Sequence, residues 1–216
     1  ICLCSYKENL DQYIRLQQAE MPMVFYDRIP YGMNVSQVIV DDYIKAFFLV
    51  EHLIREGYRH IVHLQGPDDV YNSVERARGY KDALVKFNIP FDKDRMLKAG
   101  LTFKDGANAA DMLIEKGISF DAIFAFTDTL AIGAMNRLRD LGKKIPEEIA
   151  IASFSGTVLS TIVYPQLTTV EPPLQQMGKV VAELIIEKIK EPLSPNRSIV
   201  LDAEIKLRAS SKKEKK

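Results

Sequence analysis

Residues 121–156, DAIFAFTDTLAIGAMNRLRDLGKKIPEEIAIASFSG, constrain the fold more than any other stretch, because they hold one complete strand, helix, strand unit. The run 122–126 is short, apolar and rich in large and branched side chains, the pattern of a parallel strand buried on both faces. It ends at Thr127-Asp128, where Asp128 is expected to cap the next helix. Ala131, Ala134, Met135, Leu138 and Leu141 then recur along one helical face, and Gly142 supplies the stop. Residues 149–154 are apolar again. A parallel pair joined by a helix needs a right-handed crossover and opens its ligand crevice at the carboxyl ends of the strands. Thr127, Asp128 and Ser155 are therefore expected on one polar rim.

The same alternation runs along the whole chain. It begins with a strand at 1–4, a helix at 9–18, a strand at 23–26 ending at Asp27, a turn with Pro30 and Gly32, and a strand at 35–40. Tyr43, Ala46, Phe47, Val50, Leu53 and Ile54 share a helical face that Gly57 terminates. A strand at 61–64, a helix carrying Ala77, Tyr80, Leu84 and Phe87, a short strand at 96–99 and a helix at 105–116 follow. Residues 157–173 show no helical period and contain Pro165, Pro172 and Pro173, which suits a crossing between lobes. A helix at 174–189 leads to a half-exposed strand at 198–207, so one sheet has an edge or mixed region. Repeated βα units with a return helix and strand predict an α/β chain of two doubly wound parallel-sheet lobes. The expected division is 1–40 with 173–198 in an N-terminal lobe and 41–172 with 199–211 in a C-terminal lobe, leaving 212–216 as a disordered basic tail.

Charge limits the partners. With 29 basic and 29 acidic residues the formal net charge is zero, so this stretch has no electrostatic footprint for nucleic acid or an anionic membrane. No apolar run approaches the roughly 20 residues needed to cross a bilayer. Cys2 and Cys4 stand too close for an ordinary disulfide, and a reduced, cytoplasmic setting fits them. Because the chain opens on Ile1 in what reads as a strand, it is expected to begin inside a fold.

Six motifs in order carry a family resemblance: Pro22-Met23-Val24-Phe25-Tyr26-Asp27-Arg28, Val38-Ile39-Val40-Asp41-Asp42, residues 51–61 (EHLIREGYRHI), Arg76-Ala77-Arg78-Gly79-Tyr80, residues 126–134 (FTDTLAIGA) and Pro165-Gln166-Leu167-Thr168-Thr169-Val170. Together they resemble the effector-binding region of LacI/GalR-family bacterial transcription regulators, whose fold is of the type I periplasmic-binding-protein kind. The resemblance implies a non-catalytic sensor whose two lobes close on a sugar, nucleoside or purine. It also implies a homodimer that reaches operator DNA through a headpiece not found in this chain, with the start of the N-terminal lobe absent as well. The alternative is an extracytoplasmic sugar-binding protein serving a transporter or chemoreceptor, since the fold would be nearly the same.

A polyol needs donors and acceptors in fixed directions and a flat side chain against its ring. By resemblance, Asp27 and Arg76 contact the ligand, Thr127 and Asp128 border the pocket, and Leu101 or Phe103 lies where the family often stacks a ring. Phe154 and Ser155 complete the set. Family members commonly carry Asp where this chain has Ser155, which predicts a weaker or differently hydroxylated ligand. Each residue also has a plainer role open to it: Asp128 as a helix cap, Arg76 as a solvated helix residue, Asp27 as a turn opener.

Enzyme motifs are missing. Ser155 would need glycines at 153 and 157 to form a nucleophile elbow, and those positions are Ser153 and Thr157. Neither GxGxxG nor GxxxxGK[ST] occurs. His60 and His63 fall on opposite faces of a strand, and the two cysteines lack a second pair, so no metal or cofactor is expected.

Overall fold

The computed structural model describes residues 2–3, 9–29, 32–68 and 70–213. Ile1 and Cys4 of the expected opening strand, Pro30 of the expected turn and residues 214–216 of the basic tail lie outside them. The chain divides into two compact units. Unit 1 takes Ile1–Asp41, Asp68–Val74 and Pro172–Ala203, and unit 2 takes Asp42–Pro67, Glu75–Glu171 and Glu204–Lys216.

Unit 1 contains β1 (Cys2–Leu3), α1 (Leu10–Gln18), β2 (Val24–Tyr26), β3 (Ser36–Val40), α7 (Leu174–Lys190) and β9 (Ser198–Leu201). Among the described residues its sheet has the order β1-β2-β3-β9, parallel throughout. Tyr13 of α1 meets Phe25 of β2 edge to face at 5.2 Å, and Met23, Ile29 and Ile39 close this small core. The segment Asp68–Val74, expected in the other lobe, belongs here, and Tyr71 packs on that core.

Unit 2 contains α2 (Asp42–Arg55), β4 (Ile61–Gln65), most of α3 (Tyr71–Lys86), β5 (Met96–Lys98), α4 (Phe103–Glu115), β6 (Ala122–Ala125), α5 (Asp128–Asp140), β7 (Ala150–Phe154), α6 (Leu159–Ile162), β8 (Thr168–Glu171) and β10 (Glu204–Lys206). Its sheet runs β10-β8-β7-β6-β4-β5, with every pair parallel except β10 against β8. All residues of β4, β6 and β7 are buried, as strands covered by helices on both faces must be. The unit is α/β and doubly wound, as the sequence predicts.

Four local expectations are corrected. The single strand at 198–207 is two strands: β9 ends at Leu201, Asp202 and buried Ala203 belong to neither strand, and β10 joins the other sheet. Its alternating pattern is shared by both halves, so periodicity alone cannot see the break. Residues 159–162 form the one-turn helix α6. Thr127, not Asp128, is the N-cap of α5, accepting from the Leu130 amide at 3.3 Å. The basic tail starts later than 212, because the Lys213 amide donates to Glu56 Oε2 and its ammonium lies 4.2 Å from the Tyr58 ring centre. Ser210 and Ser211 ahead of it are buried against Thr168. Among the described residues, no helix is long and apolar enough to cross a membrane.

His63 of β4 is a fully buried titratable ring. Its Nδ1 donates to the Phe124 carbonyl at 2.9 Å, and the ring stacks on Phe124 at 4.6 Å. Burial pushes its pKa down to about 4; the carbonyl bond opposes that shift, and the charges of Arg76 and Lys81 add to it. The neutral ring is the folded form, so its contribution is complete above the ordinary value near 6.5 and is lost as pH falls toward 4. At about 1.4 kcal/mol per pKa unit, the loss is on the order of 3 kcal/mol. Urea denaturation at pH 7 and pH 4 is expected to show wild type losing that much more stability than His63→Gln. Equal pH dependence in the two proteins would contradict this account of His63.

Candidate functional site

Unit 2 builds a polar rim where β4, β6 and β7 end. The strands deliver Gln65-Gly66, Phe126-Thr127-Asp128 and Phe154-Ser155-Gly156, in the order a parallel sheet dictates. Arg76 reaches this rim from α3. Its Nε donates to Asp42 Oδ1 at 2.7 Å and its Nη1 donates to the Phe126 carbonyl at 2.7 Å. The guanidinium carbon stands 3.6 Å from the Phe154 ring centre and 4.6 Å from that of Phe126. Gly66 makes room for this arrangement, since a Cβ there would fall 2.4 Å from the Phe126 ring. The side chains of Arg76 and Asp42 are 4% and 2% exposed, so this is a buried ion pair. Among the described residues Arg76 Nη2 has no acceptor, and it is the part of the guanidinium open to one.

Asp128 is fully buried beside this cluster, and its carboxylate is filled from within. Oδ1 accepts from Ser153 Oγ and Thr169 Oγ1, both at 2.7 Å. Oδ2 accepts from the Thr157 amide at 2.6 Å and from Thr157 Oγ1 at 2.8 Å. Four donors use up the acceptor sites of a carboxylate. Asp128 thus ties β7, β8 and the loop at Thr157 together rather than presenting a free oxygen at the rim. Ser155 follows with φ at 130°, a region that favours glycine, and holds β8 through its amide bond to the Val170 carbonyl. A serine there costs about 1–3 kcal/mol of backbone strain, a feature that tends to gather at ligand sites.

In unit 1, Asp27 stands at the end of β2 with φ at 58°, a left-handed conformation that aspartate tolerates. Asn72 Nδ2 donates to Asp27 Oδ1 at 3.3 Å. Asn72 Oδ1 and Ser73 Oγ are buried with no hydrogen-bond partner among the described residues. A buried acceptor left this way costs about 1–3 kcal/mol, so a ligand hydroxyl that fills it recovers the loss. Asp27 and Tyr26 also border a cleft of about 530 Å3 whose walls include Leu174, Met177, Val181 and Ile185 and whose surface is mostly apolar.

The sequence-predicted residues therefore fall into separate groups. Arg76 and Phe154 are in direct contact, with Thr127, Asp128 and Ser155 at neighbouring strand ends. The Arg76 cluster does not include the two ring candidates: Leu101 packs on the main core of unit 2, and Phe103 opens α4 with about half its surface exposed. Phe154 serves as a platform for the guanidinium, being fully buried itself. Sequence reasoning missed Asp42, Phe126 and Asn72 as members of the site. Asp42 had a legible signal: it lies on the buried stripe of Ala46, Leu49, Val50 and Leu53, where a carboxylate requires a polar or charged partner. Asn72 had none, because its isolation depends on tertiary packing.

A family model for the periplasmic binding protein-like domain matches residues 50–211. The chain belongs to this family, as an effector-binding domain of the LacI/GalR type. The HTH-type transcriptional repressor PurR of Vibrio atlanticus is 31% identical over 206 residues, covering 95% of this chain and 60% of that protein. The HTH-type transcriptional regulator CelR of Thermobifida fusca is 28% identical over 198 residues, covering 90% of this chain and 58% of that one. Among solved structures, the complex of transcriptional regulator CelR with cellobiose has a TM-score of 0.90 at 28% identity, covering 97% of this chain and 64% of that chain. The transcription regulator CcpA of Lactococcus lactis has a TM-score of 0.86 at 30% identity, covering 94% and 75%. This LacI/GalR-type domain thus spans about 60% of the length of the curated relatives it matches.

Its stability is expected to depend on Asp128 independently of any ligand. Replacing Asp128 with Ala leaves the Thr157 amide and two or three hydroxyls without their acceptor inside the fold. The expected cost is about 3 kcal/mol, read by urea denaturation at pH 7. A loss under ~0.5 kcal/mol would show that the buried carboxylate organises nothing.

Proposed function

We propose that this chain is the ligand-sensing part of a DNA-binding transcription regulator. In this reading it binds a small sugar-like or nucleobase-like effector, works as a homodimer in the cytoplasm, and controls operator binding through a region outside this chain. The observation that carries the reading is Arg76: a guanidinium held by an ion pair, a carbonyl and two aromatic rings, with one nitrogen left open at the strand ends. Such preorganisation lowers the cost of ligand binding, because the recognising group is already ordered. The ring-stacked, planar fork also suits adjacent hydroxyl or carbonyl oxygens.

In unit 1, Asp27 and the unfilled Asn72 carbonyl supply acceptors for effector hydroxyls. Asp128 acts in this reading as a positioning residue that fixes the strand ends. Similarity to transcription regulators supports this reading over a transport-associated binding protein. The cellobiose bound to the CelR structure supports a carbohydrate as the first effector to try. Control of DNA follows when the effector prefers one of two conformations of the regulator, and the size of that control equals the difference in affinity.

Calorimetric titration with neutral sugars, nucleosides and nucleobases tests the proposal. One member is expected to bind, with Arg76→Ala weakening it about 100-fold and Asp27→Asn about 10-fold, in line with loss of charge-assisted bonds. Binding unaffected by Arg76→Ala would refute the assignment of this site.

A further inference from the structure

A cavity of about 370 Å3 lies in unit 1 where the chain enters β2, β3 and β9, a size that admits a small molecule. The three strands are parallel, so this end is opposite to the one at which β2 delivers Asp27. Its walls come from the end of α1 and the residues before β2, from Asn34 and Val35 before β3, and from the last turn of α7 with the loop that follows. Asn34 joins these pieces: its carbonyl accepts from Gln17 Nε2 at 3.0 Å and from Asn196 Nδ2 at 2.9 Å. Met21, Met23 and Val35 supply apolar surface.

Two charged residues of opposite sign line the cavity, Glu20 and Lys188. Among the described residues neither has an ion-pair partner, and they do not pair with each other. Lys188 Nζ donates to the Ser194 carbonyl, which leaves two of its three N–H donors. Ser194 Oγ is itself buried with no hydrogen-bond partner among the described residues. Of the neighbouring charges in the chain, Glu187 is paired with Arg197, and Arg15, Lys190 and Glu191 are exposed and outside the lining. Glu20 breaks two local rules. It follows the last turn of α1 with φ at 54°, the left-handed place that glycine or asparagine ordinarily fills, and it sets a carboxylate at the negative end of the helix. Together these cost about 1–2 kcal/mol, and local conflicts of this kind gather at functional sites.

We propose that this cavity binds a free α-amino acid with an apolar side chain. Such a zwitterion brings an ammonium for Glu20 and a carboxylate for Lys188 and the Ser194 hydroxyl, both carried on one carbon. Its side chain packs on the apolar surface at Met21, Met23 and Val35. A ligand with a single charge satisfies one of the two groups and meets repulsion from the other. A neutral sugar or nucleobase satisfies neither. The site is therefore separate from the effector site, which rests on Arg76, Asp27 and Asn72.

The test is amide NMR titration of the 216-residue chain with leucine and phenylalanine, each beside the counterparts that keep only one of its charges. Isocaproate and phenylpropionate lack the ammonium; isoamylamine and phenethylamine lack the carboxylate. At least one amino acid is expected to bind, with shifts concentrated at 20–23 and 188–196, and both of its single-charge counterparts at least about tenfold more weakly. Glu20→Gln is expected to weaken the amino acid at least about tenfold without weakening the acid, whereas Lys188→Met weakens both. An amino acid bound no more tightly than its counterparts overturns the inference, as does failure of both amino acids to bind. Binding that neither substitution changes overturns the assignment to this cavity. Glu20 is exposed and Lys188 half-buried, so both variants are expected to fold, and the wild-type ranking decides the ligand class without them. These probes differ from the neutral compounds that test the effector-sensing reading, so failure of either proposal leaves the other standing.

Discussion

The guanidinium of Arg76 is the constraint around which unit 2 is arranged. A cation that is almost entirely buried must be surrounded by compensating groups or the fold does not form. Asp42 at the start of α2, the Phe126 carbonyl at the end of β6 and the Phe154 ring at the end of β7 each supply one part of that compensation. The requirement therefore fixes two helices and two strand ends relative to one another. It also explains why Gly66 must lack a side chain, since the Phe126 ring occupies the space.

Asp128 is the complementary device. It is an anion buried as deeply as Arg76, but it is held by hydroxyls and an amide instead of a cation. Separate compensation of the two charges lets each fix its own part of the rim. Arg76 keeps a nitrogen open, whereas Asp128 keeps no oxygen open. The strain at Ser155, just past the end of β7, is of a kind that tends to gather at ligand sites.

The order of elements was legible because parallel strands covered on both sides must be short apolar runs, and amphipathic helices must repeat at 3.6 residues. Boundaries of β3, β4 and β7 lie within one residue of expectation. Two of the errors fell where a sequence signal is shared by two outcomes. Residues 198–207 alternate correctly for one strand or for two, and only Asp202-Ala203 marks the change of sheet. Thr127 and Asp128 both favour helix starts, and the internal bonds of Asp128 leave the cap to Thr127. The site was half legible. Arg76, Asp27 and the strand-end residues follow from motif and topology, but the partners of Arg76 lie 34 and 50 residues away. Sequence spacing cannot express those distances.

A double-mutant cycle tests whether Arg76 and Asp42 work as one unit. Urea denaturation of wild type, Asp42→Ala, Arg76→Ala and the double variant at pH 7 gives their coupling energy directly. The structure predicts a coupling of about 3 kcal/mol, because each single change strands the other charge in the interior. Additive losses, with a coupling under ~0.5 kcal/mol, would mean that the pair does not organise the rim.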